Sequence, residues 1–80
     1  MNSKIVQVMA KVFKVAPEAI KPDSRPGAPS NWDSLSHLQM VLEIEATFGV
    51  RFTTEEIGQL TSAGAIEGKL KEKVGAIDVP

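Results

Sequence analysis

The chain has 80 residues, of which 42% are hydrophobic and 24% are charged, and its formal net charge is −1 at pH 7. This length and composition predict one small folded domain over residues 1–80. With no cysteine and a single histidine, the sequence excludes disulfide bridges and thiolate or multi-histidine metal sites. It shows no apolar signal-peptide core and no membrane-spanning apolar run, so we expect a cytoplasmic protein with no membrane partner.

Charge is unevenly distributed along the chain. Residues 33–60 hold five acidic residues and one basic residue, a net charge of −4, whereas residues 1–32 have a net charge of +3. An acidic segment steers basic partners and disfavours nucleic-acid backbones, so we expect no nucleic-acid partner. A plain solvated helix face is the alternative interpretation of the same pattern.

The first half predicts one helix and a long loop. Asn2 or Ser3 is placed to cap a helix that Pro17 ends near Lys14 or Val15. Its apolar stripe consists of Ile5, Val8, Met9, Val12 and Phe13. Four prolines between residues 16 and 32 then predict an extended loop.

Asp33 is the predicted N-cap of a second helix that runs to Phe48 and is stopped by Gly49. Its broad apolar arc consists of Leu35, Leu38, Val41, Leu42, Ile44 and Phe48. An arc of this width predicts a central helix covered on two sides.

The last third predicts two more helices. Thr53 and Glu56 form a capping-box pattern that opens a short third helix through Leu60. Thr61 or Ser62 caps the fourth helix, whose stripe is Ala63, Ile66, Leu70 and Val74 and whose predicted stop is Gly75. Together the elements predict an all-α fold, a small four-helix bundle with a long first loop and a short third helix.

No sequence motif marks a catalytic centre. There is no Cys–His pair, and nothing local marks His37 as a base for a serine nucleophile. Residues 64–69 imitate a phosphate loop, but the glycine spacing is one residue short and Leu70 stands where serine or threonine is needed. We therefore expect a protein that is not an enzyme.

Ser34 is the informative residue, because it follows the Asp33 cap at the predicted start of the second helix. A helix N-terminus offers free N–H groups and a positive dipole end, which favour a phosphate group. Ser34 is thus well placed to carry a phosphodiester, although an ordinary first-turn serine would occupy the same position.

Asp33-Ser34-Leu35, the apolar helix that follows and Phe48 at its end resemble the acyl carrier protein family. The Pro-rich loop, the Thr-Glu-Glu short helix and the Thr-Ser-capped last helix come in the family's order, so the resemblance covers nearly the whole chain. It implies a phosphopantetheine arm on Ser34, flanked by Asp33 and Leu35, which a phosphopantetheinyl transferase places there from coenzyme A. The arm would hold an acyl group as a thioester. The partners would be acyl-loading and acyl-transfer or condensing enzymes, and we expect the carrier to be a monomer.

The resemblance also implies partner-facing residues. Met40 matches an apolar, partner-facing family position, and the acidic residues Glu43, Glu45, Glu55 and Glu56 supply charge. Ser36, Gln39 and Ala46 stand where the family often has acids, which points away from bulk fatty acid synthesis and leaves fatty-acid-like, polyketide or other specialised biosynthesis. Trp32 is expected to anchor the loop, and with His37 to flank the arm and help define the partner surface.

In such carriers an acyl chain lodges between the second and third helices. The candidate pocket residues are Leu38, Leu42, Phe48, Ile57, Leu60 and Ile66, for which plain core is the alternative.

Three other functions compete with the acyl carrier. An aminoacyl or peptidyl carrier of nonribosomal assembly more often has Gly-His before the serine, whereas Asp33 favours acyl cargo. The others are an unmodified helical adaptor and a helix-turn-helix nucleic-acid binder, against which the acidic middle segment argues.

Overall fold

Four α-helices and one short 3₁₀ turn account for the regular structure of residues 2–74, the part of the chain that the computed structural model describes. They are α1 (Ser3–Phe13), the turn Pro17–Ala19, α2 (Ser34–Phe48), α3 (Thr54–Gln59) and α4 (Ala63–Val74). No β-strand occurs in this part, and the predicted all-α four-helix architecture is confirmed. The predicted stop of α4 at Gly75 lies outside the described residues.

α1 begins at a side-chain cap and ends at a left-handed residue. The Asn2 side-chain oxygen accepts hydrogen bonds from the N–H groups of Lys4 at 2.9 Å and Ile5 at 3.2 Å. Lys14 adopts φ 59° and donates its N–H to the Ala10 carbonyl, so the helix ends at Phe13, one residue before Lys14, the nearer of the two predicted ends. Its buried residues are Ile5, Met9, Ala10 and Phe13.

The long loop is fastened to the helices at both of its halves. Trp32 is 1% exposed and stacks on Phe13, with ring centroids 4.8 Å apart, while the Asn31 side chain donates to the Phe13 carbonyl at 2.8 Å. The expectation that Trp32 anchors the loop is confirmed. Earlier in the loop, the carbonyls of Pro22 and Ser24 each accept a hydrogen bond of 2.8 Å from the first turn of α4.

α2 packs mainly against α1. Met40, Val41 and Ile44 are buried and belong to the core. Leu35, Leu38 and Leu42 are 66%, 51% and 65% exposed, so the prediction that the whole apolar arc is covered is wrong. A helical wheel identifies apolar faces but not which of them a neighbour covers.

Met40 does not face partners. It is 0% exposed and lies one turn before Ile44 on the covered side of α2, so its predicted place on a partner surface is wrong. Its flexible thioether fills the core instead.

The segment after α2 explains why a charged residue, Glu45, lies among the apolar residues of this helix. Gly49 adopts φ 68° and donates its N–H to the Glu45 carbonyl, which ends the helix. The Glu45 carboxylate accepts a hydrogen bond of 2.8 Å from the N–H of Phe52. Glu45 therefore holds the chain as it leaves α2.

α3 is short and weakly buried. The predicted capping box is present, since Glu56 donates its N–H to the Thr53 hydroxyl and accepts from the Thr53 N–H through its carboxylate. None of its six residues is buried, and the helix ends at Gln59 rather than Leu60. None of the helices among residues 2–74 has both the length and the apolar character needed to cross a membrane.

Two glycines of α4 provide a matched test of the packing between the loop and α4. A Cβ on Gly64 would lie 3.1 Å from the Pro22 carbonyl oxygen, whereas a Cβ on Gly68 meets nothing within 4 Å. We expect Gly68→Ala to stabilise the protein by up to about 1 kcal/mol through helix propensity. Gly64→Ala should destabilise it by roughly 1 kcal/mol, because the carbonyl also accepts the Gly64 N–H and has little freedom to move.

Chemical denaturation of both variants measures the two effects. Equal stabilisation by the two substitutions would contradict the close approach of Pro22 to α4.

Candidate functional site

Ser34 is the first residue of α2 and is exposed. The preceding residue, Asp33, is the N-cap, and its carboxylate accepts a hydrogen bond of 2.9 Å from the Ser36 N–H. The remaining free N–H groups of a first helical turn point outward and carry the positive end of the helix dipole. A phosphate ester on the Ser34 hydroxyl would lie within this favourable field.

Asp33 keeps its charge at the start of α2. Hydrogen bonds from the backbone N–H of Ser36, and secondarily from its hydroxyl, hold the pKa of the Asp33 carboxyl below its ordinary value. The carboxylate is therefore ionised at neutral pH, where it complements the helix dipole.

An open cavity of about 580 Å³ lies beside Ser34, between α2 and α3. Its lining residues are Pro26, Asp33, Ser34, His37, Leu38, Ile57, Gly58, Leu60 and Thr61. Apolar side chains form most of the wall, and polar groups stand near Ser34. A mainly apolar concavity with a few placed polar groups is the usual form of a small-ligand site.

The structure brings three of the six predicted pocket residues to this cavity, namely Leu38, Ile57 and Leu60. The other three do not line this cavity. Ile66 is fully buried in the core and Phe48 packs half-buried against the core. Leu42 is exposed and borders a separate depression at the C-terminal end of α2.

His37 and Trp32 form a hydrogen-bonded pair behind the cavity. The Trp32 Nε1–H donates to Nδ1 of His37 at 2.9 Å, and Nε2 of His37 lies 3.1 Å from the Ile57 carbonyl oxygen. Because Trp32 is buried, its predicted share in a partner surface is wrong. His37 is half-buried and reaches the cavity wall, so it does flank the Ser34 side of the site.

The acidic residues are less available to partners than their number suggests. Glu45 holds the Phe52 N–H, and Glu56 pairs with Lys73 at 2.8 Å besides closing the capping box. Glu43 is exposed, with its carboxylate 3.9 Å from the Lys11 ammonium, and Glu55 is exposed in the first turn of α3. Contacts within the protein thus occupy the carboxylates of Glu45 and Glu56, two of the four acidic residues predicted to face a partner.

A leucine stripe on α2 is the surface feature that sequence reasoning missed. Leu35, Leu38 and Leu42 follow Ser34 at helical spacing and are all more than half exposed. In the sequence, their spacing is the same as that of a core stripe, so the periodicity contained no signal that separates the two. We call these three residues the leucine stripe.

The site fits a phosphopantetheine group in three respects. The Ser34 hydroxyl is accessible for a phosphoester, the helix start suits the phosphate, and the cavity offers an apolar wall to the end of an arm or its cargo. No group of three or more metal-ligating side chains occurs among residues 2–74.

Comparison with known proteins agrees with this geometry. The family model described as "Phosphopantetheine attachment site" matches residues 3–70. The chain therefore belongs to this family of phosphopantetheine-bearing carrier domains, and its prosthetic group is covalently attached phosphopantetheine. An acyl carrier protein of Thermosynechococcus vestitus is 27% identical over 73 residues, which cover 91% of this chain and 90% of that protein.

Asp33 provides a pH test of the helix start. A carboxylate whose folded pKa is lowered contributes stability that is present above its unfolded pKa and is lost as pH falls through the folded pKa. We expect the Asp33 pKa to lie below 3.8 in an NMR titration of the side-chain carboxyl. The stability advantage of the wild-type protein over Asp33→Asn should shrink below about pH 4, since asparagine caps a helix without titrating.

An Asp33 pKa at or above the ordinary value would show that the carboxylate does not cap α2 in solution.

Proposed function

We propose that this protein carries an acyl group as a thioester on a phosphopantetheine arm attached to Ser34. The observation that carries the proposal is the exposed Ser34 hydroxyl at the start of α2, on the rim of the apolar cavity. The arm's thiol supplies the thioester chemistry, while the protein presents and recognises it. In this role the protein is a carrier and not an enzyme, a single domain that works as a cytoplasmic monomer.

The first partner is a phosphopantetheinyl transferase that uses coenzyme A. The Ser34 oxygen is free to approach a phosphate group, and the N-terminus of α2 favours the negative charge of the resulting phosphoester. Asp33 and Leu35 flank the modified residue. Asp33 holds the helix start in place through its cap, and Leu35 is exposed for contact with the transferase.

The cargo lies against the cavity between α2 and α3. Leu38 on α2, Ile57 on α3 and Leu60 directly after α3 line the cavity together, and they offer an apolar surface to an acyl chain. An uncharged chain suits this wall better than the ammonium group of an aminoacyl cargo, because burying a charge without a partner is costly. This supports acyl rather than aminoacyl or peptidyl cargo.

Acyl-loading, acyl-transfer and condensing enzymes are the later partners. Any enzyme that reaches Ser34 also covers the neighbouring leucine stripe, which is exposed in the free protein. Burial of three leucines provides affinity that salt does not screen. Such partners depend less on charge, which supports a role in fatty-acid-like, polyketide or other specialised biosynthesis rather than in bulk fatty acid synthesis.

Intact-mass measurement tests the attachment site. Incubation with coenzyme A and a broad-specificity phosphopantetheinyl transferase should add one phosphopantetheine to the wild-type protein and none to Ser34→Ala. Ser36→Ala is the control, because it removes a hydroxyl two residues away and should still be modified. A folded wild-type protein that stays unmodified with several transferases would instead support an unmodified adaptor.

The leucine stripe can be tested by transferase kinetics. We expect Leu42→Ala to raise the KM of the transferase for this protein about tenfold, the loss of roughly 1.4 kcal/mol of apolar burial. Glu43→Gln should change it by less than about threefold at physiological salt. Because Leu42 is 65% exposed, its substitution should leave the melting temperature nearly unchanged.

A strongly salt-dependent KM that Leu42→Ala does not alter would show that charge, and not the leucine stripe, drives docking.

A further inference from the structure

The imidazole of His37 joins α2 to α3 and to the loop before α2. Its Nδ1 receives the Trp32 indole N–H at 2.9 Å, and its Nε2 lies 3.1 Å from the Ile57 carbonyl oxygen. An indole N–H only donates and a carbonyl oxygen only accepts. Both hydrogen bonds therefore form together only when the imidazole is neutral and carries its proton on Nε2.

α3 depends on few contacts for its position. It has six residues, none of them buried, and Ile57 packs half-buried against the core. The ion pair between Glu56 and Lys73 ties α3 to α4 at 2.8 Å. The hydrogen bond from His37 ties the last turn of α3 to α2, on the other side.

This bond also spans the cavity beside Ser34. His37 and Ile57 both line it, one from α2 and the other from α3, so the bond connects two of its walls. Any change that breaks the bond frees the α3 wall of the cavity.

We propose that His37 is a pH-sensitive latch that holds α3 against α2 and thereby sets the shape of the cavity beside Ser34. A proton on Nδ1 would face the Trp32 N–H donor to donor, so that hydrogen bond is lost on protonation. The Nε2–H remains a donor in the imidazolium, so the bond to Ile57 is lost through movement of the ring: because both nitrogens belong to one rigid ring, the rotation that takes Nδ1–H away from the indole also takes Nε2–H away from the Ile57 carbonyl oxygen. The latch deepens the proposed function, because this is the cavity assigned to the cargo.

The charged groups near the imidazole make other contacts or are exposed, so they do not replace His37 as the link between α2 and α3. Asp33 at the start of α2 directs its carboxylate to the first turn of its own helix. On α3, Glu56 is engaged by Lys73. In the loop, Arg25 next to the cavity wall is exposed.

The contact between α1 and Trp32 involves no charged side chain. α1 reaches it through Phe13, which stacks on Trp32, and the following Lys14 is exposed. His37 is thus the titratable group that links α2 and α3 directly at this cavity.

Hydrogen exchange on the unmodified full chain tests the latch. We expect the protection factors of the Ile57 and Leu60 amides and of the Trp32 indole N–H to fall about tenfold between about pH 8 and about pH 5, the range in which histidine gains charge. Amides of α1 are the internal control and should keep their protection. Nitrogen chemical shifts of His37 at about pH 8 should place the proton on Nε2.

His37→Gln is the matched control variant. Its side-chain oxygen can accept from Trp32 and its amide can donate to Ile57, but it does not titrate. The variant should keep α3 protected at both pH values. His37→Leu removes both hydrogen bonds and should lower α3 protection about tenfold at both, with α1 still protected.

The latch is overturned if wild-type α3 protection does not depend on pH, or if it falls equally in His37→Gln. A proton on Nδ1 at about pH 8 would overturn it as well. These measurements require no modified serine, so failure of Ser34 to accept phosphopantetheine would contradict the proposed function and leave the latch standing.

Discussion

The indole of Trp32 is the contact on which the rest of the site depends. It is buried, it stacks on Phe13 of α1, and it donates its N–H to His37 of α2, which in turn reaches Ile57 of α3. Trp32 thus contacts α1 and α2 directly and reaches α3 through His37, and it fixes the end of the long loop immediately before Asp33. Since a buried indole needs a partner for its N–H, its position also determines the tautomer of His37. This anchor fixes the chain immediately before the start of α2 and supports His37 in the wall of the cavity beside Ser34.

The division of α2 into a covered and an uncovered side links this packing to recognition. Met40 and Ile44 are buried, whereas the leucine stripe stays exposed within one turn or two of Ser34. In the proposed function, enzymes reach Ser34 over the uncovered face of α2. The leucine stripe gives that face an apolar character, while Glu45 and Glu56 are occupied by contacts within the protein.

Much of the fold could be predicted from local sequence signals. The cap at Asp33, the capping box at Thr53 and the stop at Gly49 are each set by a few neighbouring residues, and the structure contains all three. The predicted helix ends differ by one or two residues at Phe13 and by one at Gln59, because left-handed or irregular caps there depend on the following chain. In the site, the placement of Ser34 at the helix start was predictable for the same local reason. The exposure of Leu42 and the burial of Met40 were not, since helical periodicity does not show which part of an apolar arc or its edge a neighbouring helix covers.

By itself the sequence determined the elements, their order, the helix start that bears Ser34 and the membership of a phosphopantetheine carrier family. These depend on short-range caps, turn residues and periodicity, which act between residues close in the chain. Only the tertiary structure decided which face of α2 is covered, that Ile66 belongs to the core and not to the cavity, and that His37 bridges Trp32 and Ile57. The physical reason is that burial and hydrogen bonds between distant residues depend on how the helices pack, and several packings satisfy the same apolar pattern.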